Sequence, residues 1–224
     1  MSPDEPGRMS QEPSFDRRES GFSTRRGDAQ RDAIIGATRD LLETRSFDDI
    51  SVSEIASRAG ILRSGFYFYF DSKHAVLATL LQGCIDELDE MTDHFAARGP
   101  EESPASFVSR MVTSVATVTA RNERVMSASH GARYTGDEVR AVFDGLFDSV
   151  IAAVERVIAD EVAAGTAWPI GADVPALVRT LSAATQFIGT EDTPFVGAGC
   201  DRIRALRAVE QLWLHAFWGH APKV

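Results

Sequence analysis

The sequence contains only two cysteines, Cys84 and Cys200, and neither has the neighbouring ligands or spacing of a metal site. Both lie among apolar residues, which favours small core residues over a redox switch. No apolar run approaches the roughly 20 residues that span a bilayer, and residues 1–15 lack the apolar segment of a signal peptide. The sequence therefore predicts a cytoplasmic protein with no metal, no cofactor and no membrane partner.

The usual features of an enzyme are also missing from the sequence. It has no glycine-rich phosphate loop. His130 and His215 are the histidines nearest to the predicted interior, and neither has a nucleophile or a carboxylate pair beside it. We therefore predict that the protein is not an enzyme.

The charge is distributed unevenly along the chain. The net charge is −10, but residues 1–73 carry 11 basic and 13 acidic residues, whereas the remainder carries 12 and 20. An acidic protein can bind DNA through a locally basic surface. The clustered arginines of the nearly neutral first part are therefore compatible with a nucleic-acid partner.

Apolar residues recur at helical spacing in one segment after another, and no segment has the sustained alternation of a strand. The sequence predicts an all-α protein of about nine helices. Residues 1–26, rich in proline, serine, glycine and charge, are predicted to form a disordered tail. A three-helix domain is predicted at residues 27–75, and a second helical domain at residues 76–224.

Three short helices are predicted at the start of the folded part. The first spans Gly27–Arg45, and Ser51–Glu54 has the S-x-x-E pattern of a capping box that begins the second. Gly60 is suited to end that helix, and a third follows within Ile61–Phe70. This order is typical of a helix-turn-helix, whose last helix enters the major groove of DNA, although many small helical bundles share it.

The stretch from Ile55 to Leu77 reads IASRAGILRSGFYFYFDSKHAVL. It resembles the signature of the TetR family of regulators, I-A-x-x-A-G-I/V, then F/L-Y-x-Y/H-F, then x-S-K-x-x-L, and the similarity is strongest over Ala33–Leu81. The chain departs from the family pattern at Leu62, where the family often has a capping serine or threonine, and at Gly65, where it often has threonine or alanine. A helical small-molecule sensor or interaction protein that has lost specific DNA binding is therefore kept as an alternative.

The resemblance implies a DNA-binding surface centred on the third helix, and the residue chemistry agrees. Arg63 suits a guanine edge, and hydroxyls or Lys73 suit phosphates. Packing is the alternative for the aromatic residues, which we accept for Phe66 and Phe70 and leave open for Tyr69. The predicted DNA-binding residues are Arg25, Arg26, Ser51, Ser53, Arg63, Ser64, Gly65, Tyr67, Tyr69 and Lys73.

In this family the C-terminal domain dimerises through its last two long helices and encloses a small-molecule cavity, and the resemblance implies both here. Apolar stripes on the last two predicted helices fit a four-helix interface, with a purely internal core as the alternative. The predicted interface residues are Leu177, Leu181, Ala184, Leu206, Val209 and Phe217.

An apolar cavity with a few polar groups is typical of a small-molecule site, although each residue taken singly also suits a core. The predicted ligand-binding residues are Phe107, Met111, Phe143, Phe147, Ser182, Thr185, Gln186 and Trp213. The run Phe66–Phe70 and the helix order are most similar to an actinobacterial branch of the family, which implies an elongated lipophilic effector. The sequence thus predicts a homodimeric regulator, usually a repressor in this family, that binds a palindromic double-stranded DNA operator and is released by that effector.

Overall fold

The computed structural model describes residues 17–90, 96–99, 101–189 and 201–219. Within these ranges the chain forms nine α-helices and no strand, which confirms the predicted fold class. The helices are α1 Arg17–Leu42, α2 Val52–Arg58, α3 Arg63–Tyr69, α4 Lys73–Glu90, α5 Pro104–Arg121, α6 Glu123–Ala132, α7 Asp137–Ala163, α8 Val174–Gly189 and α9 Arg202–Trp218. None of the described helices is both long and apolar enough to cross a bilayer.

The first helix begins earlier than predicted. Its apolar face, with Ile34 and Leu42 buried, is packed in the core, and the helix continues back from there to Arg17. Residues 17–26 contain no proline and include four arginines, so a helix that is already fixed by packing can extend through them. The predicted disordered tail is therefore wrong for residues 17–26, and residues 1–16 lie outside the described ranges.

The second helix begins and ends where the sequence predicts. Ser51 Oγ accepts a hydrogen bond from the Glu54 amide at 3.3 Å, and Glu54 Oε2 accepts one from the Ser51 amide at 2.9 Å. Hydrogen bonds from the Ser51 hydroxyl and the Ser51 amide, together with the neighbouring Arg45, lower the pKa of the Glu54 carboxyl to about 2. Gly60, with a φ of +69°, turns the chain toward α3 in a conformation that glycine adopts without strain. Local sequence thus sets the turn between α2 and α3.

Two apolar cores lie in the molecule. The first joins α1–α4 and α6 with the end of α5 and the start of α7, and it contains Phe66 and Leu77. The second joins α5, the latter half of α7, α8 and α9, and it contains Trp213 and Phe217. Helix α4 packs against α1, α6 and α7. The predicted domain boundary between residues 75 and 76 falls inside α4, so one continuous helix connects the helix-turn-helix to the helices that follow.

Candidate DNA-binding surface and ligand cavity

Helix α3 turns one face to the core and the other to solvent. Phe66 is fully buried, whereas Arg63, Ser64, Tyr67 and Phe68 are exposed. At about 100° per residue, Ser64 and Phe68 lie opposite Phe66, Tyr67 lies beside Ser64, and Arg63 lies between Tyr67 and Phe66. The outer face of the predicted recognition helix is therefore open to a partner.

Arg63 and Tyr67 are one helical turn apart and contact each other. The Arg63 guanidinium carbon lies 5.9 Å from the centre of the Tyr67 ring, and its Nη2 lies 3.4 Å from the Tyr67 hydroxyl oxygen. Such contacts restrict the guanidinium without removing its planar set of donors. The pair presents a charged fork that matches a guanine edge or a phosphate group.

Lys73 has a different role from the predicted phosphate contact. Its Nζ donates to the carbonyl oxygens of Phe47 at 2.8 Å, Asp48 at 3.1 Å and Ile50 at 2.9 Å. An ammonium group has three protons, so these acceptors use all of them. The prediction for Lys73 is therefore corrected, because the loop between α1 and α2 folds over the start of α4 and Lys73 fastens the two together.

Ser51 and Tyr69 also bind partners within the protein. Ser51 Oγ donates to Glu54 Oε2 at 2.7 Å, in addition to its role in the capping box. The Tyr69 hydroxyl donates to Gln30 Oε1 at 2.6 Å and joins α3 to α1. Their hydroxyl protons are thus committed to local structure, which corrects the prediction of phosphate contacts for Ser51 and favours the packing alternative for Tyr69.

The other predicted DNA-binding positions differ in placement. Ser53 is exposed in the first turn of α2, and Gly65 is half-buried in α3. A Cβ added at Gly65 would lie 3.9 Å from Ile61 Cβ, an ordinary contact, so space does not require glycine there. Arg25 and Arg26 belong to α1, and their side chains lie outside the described part of the chain.

Two exposed apolar side chains beside these residues were not predicted. Leu62 precedes α3 without a side-chain capping bond, in agreement with its departure from the family pattern, and Phe68 lies on the outer face. The sequence did contain a signal that Phe68 is exposed. On a helix of two turns, Phe66 and Phe70 at positions i and i+4 can share the buried face, and the residue midway between them cannot.

A cavity of about 70 Å³ lies among α4–α9. Six of the predicted ligand-binding residues line it: Met111, Phe147, Ser182, Thr185, Gln186 and Trp213. Eight further lining residues were not predicted as such: Cys84, Val115, Val118, Thr119, Met126, Leu146, Val150 and Val154. Each of these eight has a plausible core role by itself, so only the packing of the helices reveals that they meet.

Phe107 and Phe143 do not line the cavity, which corrects two predictions. The Phe107 ring packs 6.0 Å from the Trp218 ring in the second core. The Phe143 ring belongs to the first core, with the Arg133 guanidinium carbon 4.9 Å from its centre. Each of the two lies one turn before a lining residue, Met111 or Phe147. The apolar stripes of α5 and α7 are thus longer than the cavity, and the turns that carry Phe107 and Phe143 pack in a core instead.

The polar groups of the cavity suit binding rather than catalysis. Trp213 Nε1 donates to Thr185 Oγ1 at 3.1 Å, and Thr185 donates onward to the Leu181 carbonyl at 2.8 Å. Ser182 and Gln186 lie on the same helix. Among the described residues that line the cavity, Cys84 alone is ionisable, and burial raises the pKa of its thiol to about 11. The cavity lining thus offers neutral hydrogen-bonding groups.

The two histidines considered as catalytic candidates lie elsewhere. The His130 ring packs against the rings of Phe143 at 6.0 Å and Phe187 at 5.3 Å, and it does not line the cavity. His215 is exposed, with its Nδ1 2.8 Å from the Gln211 carbonyl oxygen. Neither histidine is part of the site.

Two residues of the predicted dimer interface are buried inside the protomer. Val209 and Phe217 are 2% and 0% exposed, so a second subunit cannot contact them. The remaining four, Leu177, Leu181, Ala184 and Leu206, are half-buried against the second core. The most apolar stripe of an amphipathic helix usually packs in the core of its own subunit. The predicted interface residues were taken from that stripe, and they therefore lie on the inner face.

Comparison with known proteins agrees with this geometry. The family described as "Bacterial regulatory proteins, tetR family" matches residues 34–80. The HTH-type transcriptional regulator EthR of Mycolicibacterium smegmatis is 28% identical over 202 residues, which cover 88% of this chain and 89% of EthR. EthR of Mycobacterium tuberculosis is 36% identical over 133 residues, or 59% of this chain and 61% of that protein.

A solved structure shows the same fold. Thermus thermophilus FadR, a TetR-family transcriptional repressor in complex with lauroyl-CoA, matches with a TM-score of 0.55 and 22% identity, over 83% of this chain and 94% of that chain. The relatives named here are transcription regulators, and the mycobacterial proteins agree with the predicted similarity to an actinobacterial branch. Residues 34–80 thus match the TetR family of bacterial regulatory proteins, and most of the chain is similar to helix-turn-helix transcriptional regulators.

Proposed function

We propose that the chain is a homodimeric repressor that binds a palindromic DNA operator through α3 and is released when a small lipophilic effector enters the cavity. One observation carries the proposal: α3 buries Phe66 and exposes Arg63, Ser64 and Tyr67 together on its outer face. That arrangement supplies charged and hydroxyl donors where a recognition helix meets base edges and phosphates.

The proposed DNA-binding domain spans residues 27–75. Arg63 and Ser64 would contact base edges, and Tyr67 and Ser53 would contact phosphates. The absence of a side-chain cap at Leu62 does not prevent α3 from forming. This favours a DNA-binding protein over the alternative of a sensor that has lost its operator.

The proposed dimer interface uses the outward faces of α8 and α9. Trp218 contacts Phe107 of α5, and the exposed Ile203 lies within about 60° of Trp218 around α9. The opposite side of α9 carries Leu212, which is 55% exposed. Small or apolar residues continue this surface: Ala176, Thr180 and Ala183 on α8, and Ala205 and Ala208 on α9. Small residues let helices from two subunits approach closely.

Sedimentation analysis of Leu212→Glu tests the interface. The buried carboxylate should convert the dimer to a monomer, because an unpaired charge in an apolar interface is costly. Ile203→Glu is the matched control, since Ile203 is equally exposed, at 58%, on the other side of α9. If Ile203→Glu is monomeric and Leu212→Glu remains a dimer, the interface lies on the Ile203 side of α9 and the proposed interface is wrong.

Helix α4 supports the proposed coupling between cavity and DNA. In its first turn, Lys73 holds the α1–α2 loop and the His74 ring meets the Phe47 ring at 5.2 Å. His74 Nε2 also lies 3.4 Å from Thr135 Oγ1 in the turn between α6 and α7. About three turns later, Cys84 lines the cavity. One helix thus contacts the ligand site, the loop that supports α2 and the turn that ends α6.

The cavity volume supports release by displacement. At about 70 Å³ it is smaller than the roughly 150 Å³ apolar cavity that accepts benzene in an engineered protein. An elongated effector would have to push the surrounding helices apart, α4 among them. Moving the start of α4 would change the separation of the two recognition helices, which must match half-sites about 34–36 Å apart. Such coupling is typically about 1–3 kcal/mol.

Fluorescence anisotropy with the DNA upstream of the protein's own gene tests operator binding. We expect sequence-selective binding that weakens steeply with salt. Arg63→Ala should weaken binding by about 10-fold to 100-fold, since a bidentate base contact contributes about 1–3 kcal/mol. Arg140→Ala, at an exposed arginine of α7, should bind normally. Binding no tighter than to random DNA, both here and after selection from randomised duplexes, would refute the proposal.

Release of DNA by an effector is tested by adding candidate effectors to the same protein–DNA complex. FadR of Thermus thermophilus was solved with lauroyl-CoA, so lipophilic amides, esters and acyl thioesters of increasing chain length are suitable probes. Release of DNA by a subset of them, abolished by Val150→Trp in the cavity wall, would support the proposal. Tight binding of a probe in the cavity with unchanged DNA affinity would contradict release.

A further inference from the structure

Phe68 and Leu62 are the most exposed large apolar side chains in the described part of the chain. Phe68 is 83% exposed and Leu62 78%, compared with 47% for Tyr67 on the same helix. Leu62 lies at the start of the seven-residue α3, and Phe68 lies near its end. The recognition helix therefore carries an apolar group at each end, besides its polar residues.

Packing within the protomer does not explain the position of Phe68. Among the rings of the described residues, the Phe68 ring contacts that of the neighbouring Tyr69, at 5.1 Å between centres and 79° between planes. Phe66 and Phe70 fill the core, with 0% and 6% exposure. A partner outside the protomer is needed to remove the Phe68 ring from water, and removing it would be favourable.

The neighbours of Phe68 identify the class of partner. Phe68 lies one turn after Ser64 on the face opposite Phe66, about 40° from Ser64 around the helix. A groove that receives Ser64 must also receive Phe68. In the major groove the base edges are polar except at thymine, whose C5-methyl group is apolar.

We propose that Phe68 and Leu62 are specificity-determining residues that contact thymine methyl groups, so that each half-site contains thymines read by apolar contact near both ends of α3. This inference rests on the proposed DNA-binding function and adds the base chemistry of the operator. The hydrogen-bonding residues Arg63 and Ser64 would then read the positions between.

A thymine-to-deoxyuridine scan of the selected operator tests the inference. Each substitution removes one methyl group and leaves base pairing intact. One or two thymines in each half-site should be sensitive, with about fourfold weaker binding for each lost methyl group, from the free energy of burying one such group. The measurement is fluorescence anisotropy with the full-length protein.

Variants at Phe68 and Leu62 show which side chain contacts which thymine methyl group. Phe68→Ala should bind the normal operator more weakly and should no longer distinguish thymine from deoxyuridine at one position. Leu62→Ala should lose the distinction at a different position. Ile170→Ala is the matched control, because Ile170 is 57% exposed between α7 and α8 and should leave the scan unchanged. Circular dichroism melting should be the same for all four proteins.

The outcomes separate this inference from the proposed function. Selective binding that no thymine substitution weakens would overturn the role of the apolar residues and leave the DNA-binding function intact. The same conclusion holds if Phe68→Ala and Leu62→Ala both keep the thymine preference of the wild type. If the wild type selects no sequence at all, the proposed function fails, and this inference fails with it.

Discussion

The helix-turn-helix and the cavity region both contain apolar core residues, but they differ in the contacts beside that core. In the first, polar contacts act over short distances: the Ser51–Glu54 capping box, the Lys73 ammonium on three carbonyl oxygens, and the Tyr69–Gln30 hydrogen bond. In the second, largely apolar side chains from six helices surround about 70 Å³ of free space. Directed bonds favour one geometry, whereas a loosely filled apolar region can accept more than one. A recognition surface needs the former property and a ligand sensor needs the latter.

The largest effect should come from breaking the Lys73 contacts. Lys73→Met should lower the free energy of unfolding by about 2–3 kcal/mol, because hydrogen bonds to a charged donor contribute about 1.5–3 kcal/mol and Lys73 is partly exposed. Urea denaturation gives this value. In DNA binding, the slope of log K against log salt should stay that of the wild type. If Lys73→Met instead reduces the magnitude of this slope by about one and keeps the wild-type free energy of unfolding, Lys73 contacts a phosphate as the sequence predicted.

A matched pair of substitutions compares packing in the two regions. Val76 is 0% exposed in the first core, and Val154 is 2% exposed but lines the cavity. Val76→Leu should cost about 1–3 kcal/mol through overpacking, and Val154→Leu less than about 1 kcal/mol because the added methylene enters free space. Chemical denaturation measures both. Equal costs would mean that the cavity wall is as tightly packed as the first core.

The smallest effect concerns the capping box and depends on pH. The pKa of Glu54 is about 2 in the folded protein, below its ordinary value of 4.5, so ionised Glu54 stabilises the fold above pH 4.5 and this contribution is lost as the pH falls toward 2. The difference in melting temperature between wild type and Glu54→Gln should therefore be largest at neutral pH and shrink below about 4.5. Glu101→Gln, at an exposed position before α5, serves as the control. A difference that stays constant down to pH 3 would contradict this.

The predictions from sequence succeeded where neighbours in the chain make the contacts. The capping box at Ser51, the turn at Gly60 and the burial of Phe66 depend on residues within about one helical turn, and the structure confirms all three. The start of α1 was missed because a polar helix extension leaves no apolar periodicity to detect. Lys73 was misassigned because its acceptors, beginning at Phe47, lie more than twenty residues earlier in the chain.

The sequence by itself determined the fold class and the residues of the proposed recognition helix, because helical periodicity, capping and a short motif are local properties. Tertiary structure alone decided which turn of each apolar stripe faces the cavity and which fills a core, as the separation of Phe143 from Phe147 illustrates. It also decided that Val209 and Phe217 face inward and Leu212 outward. Periodicity identifies an apolar face, but only the arrangement of the neighbouring helices determines what that face contacts.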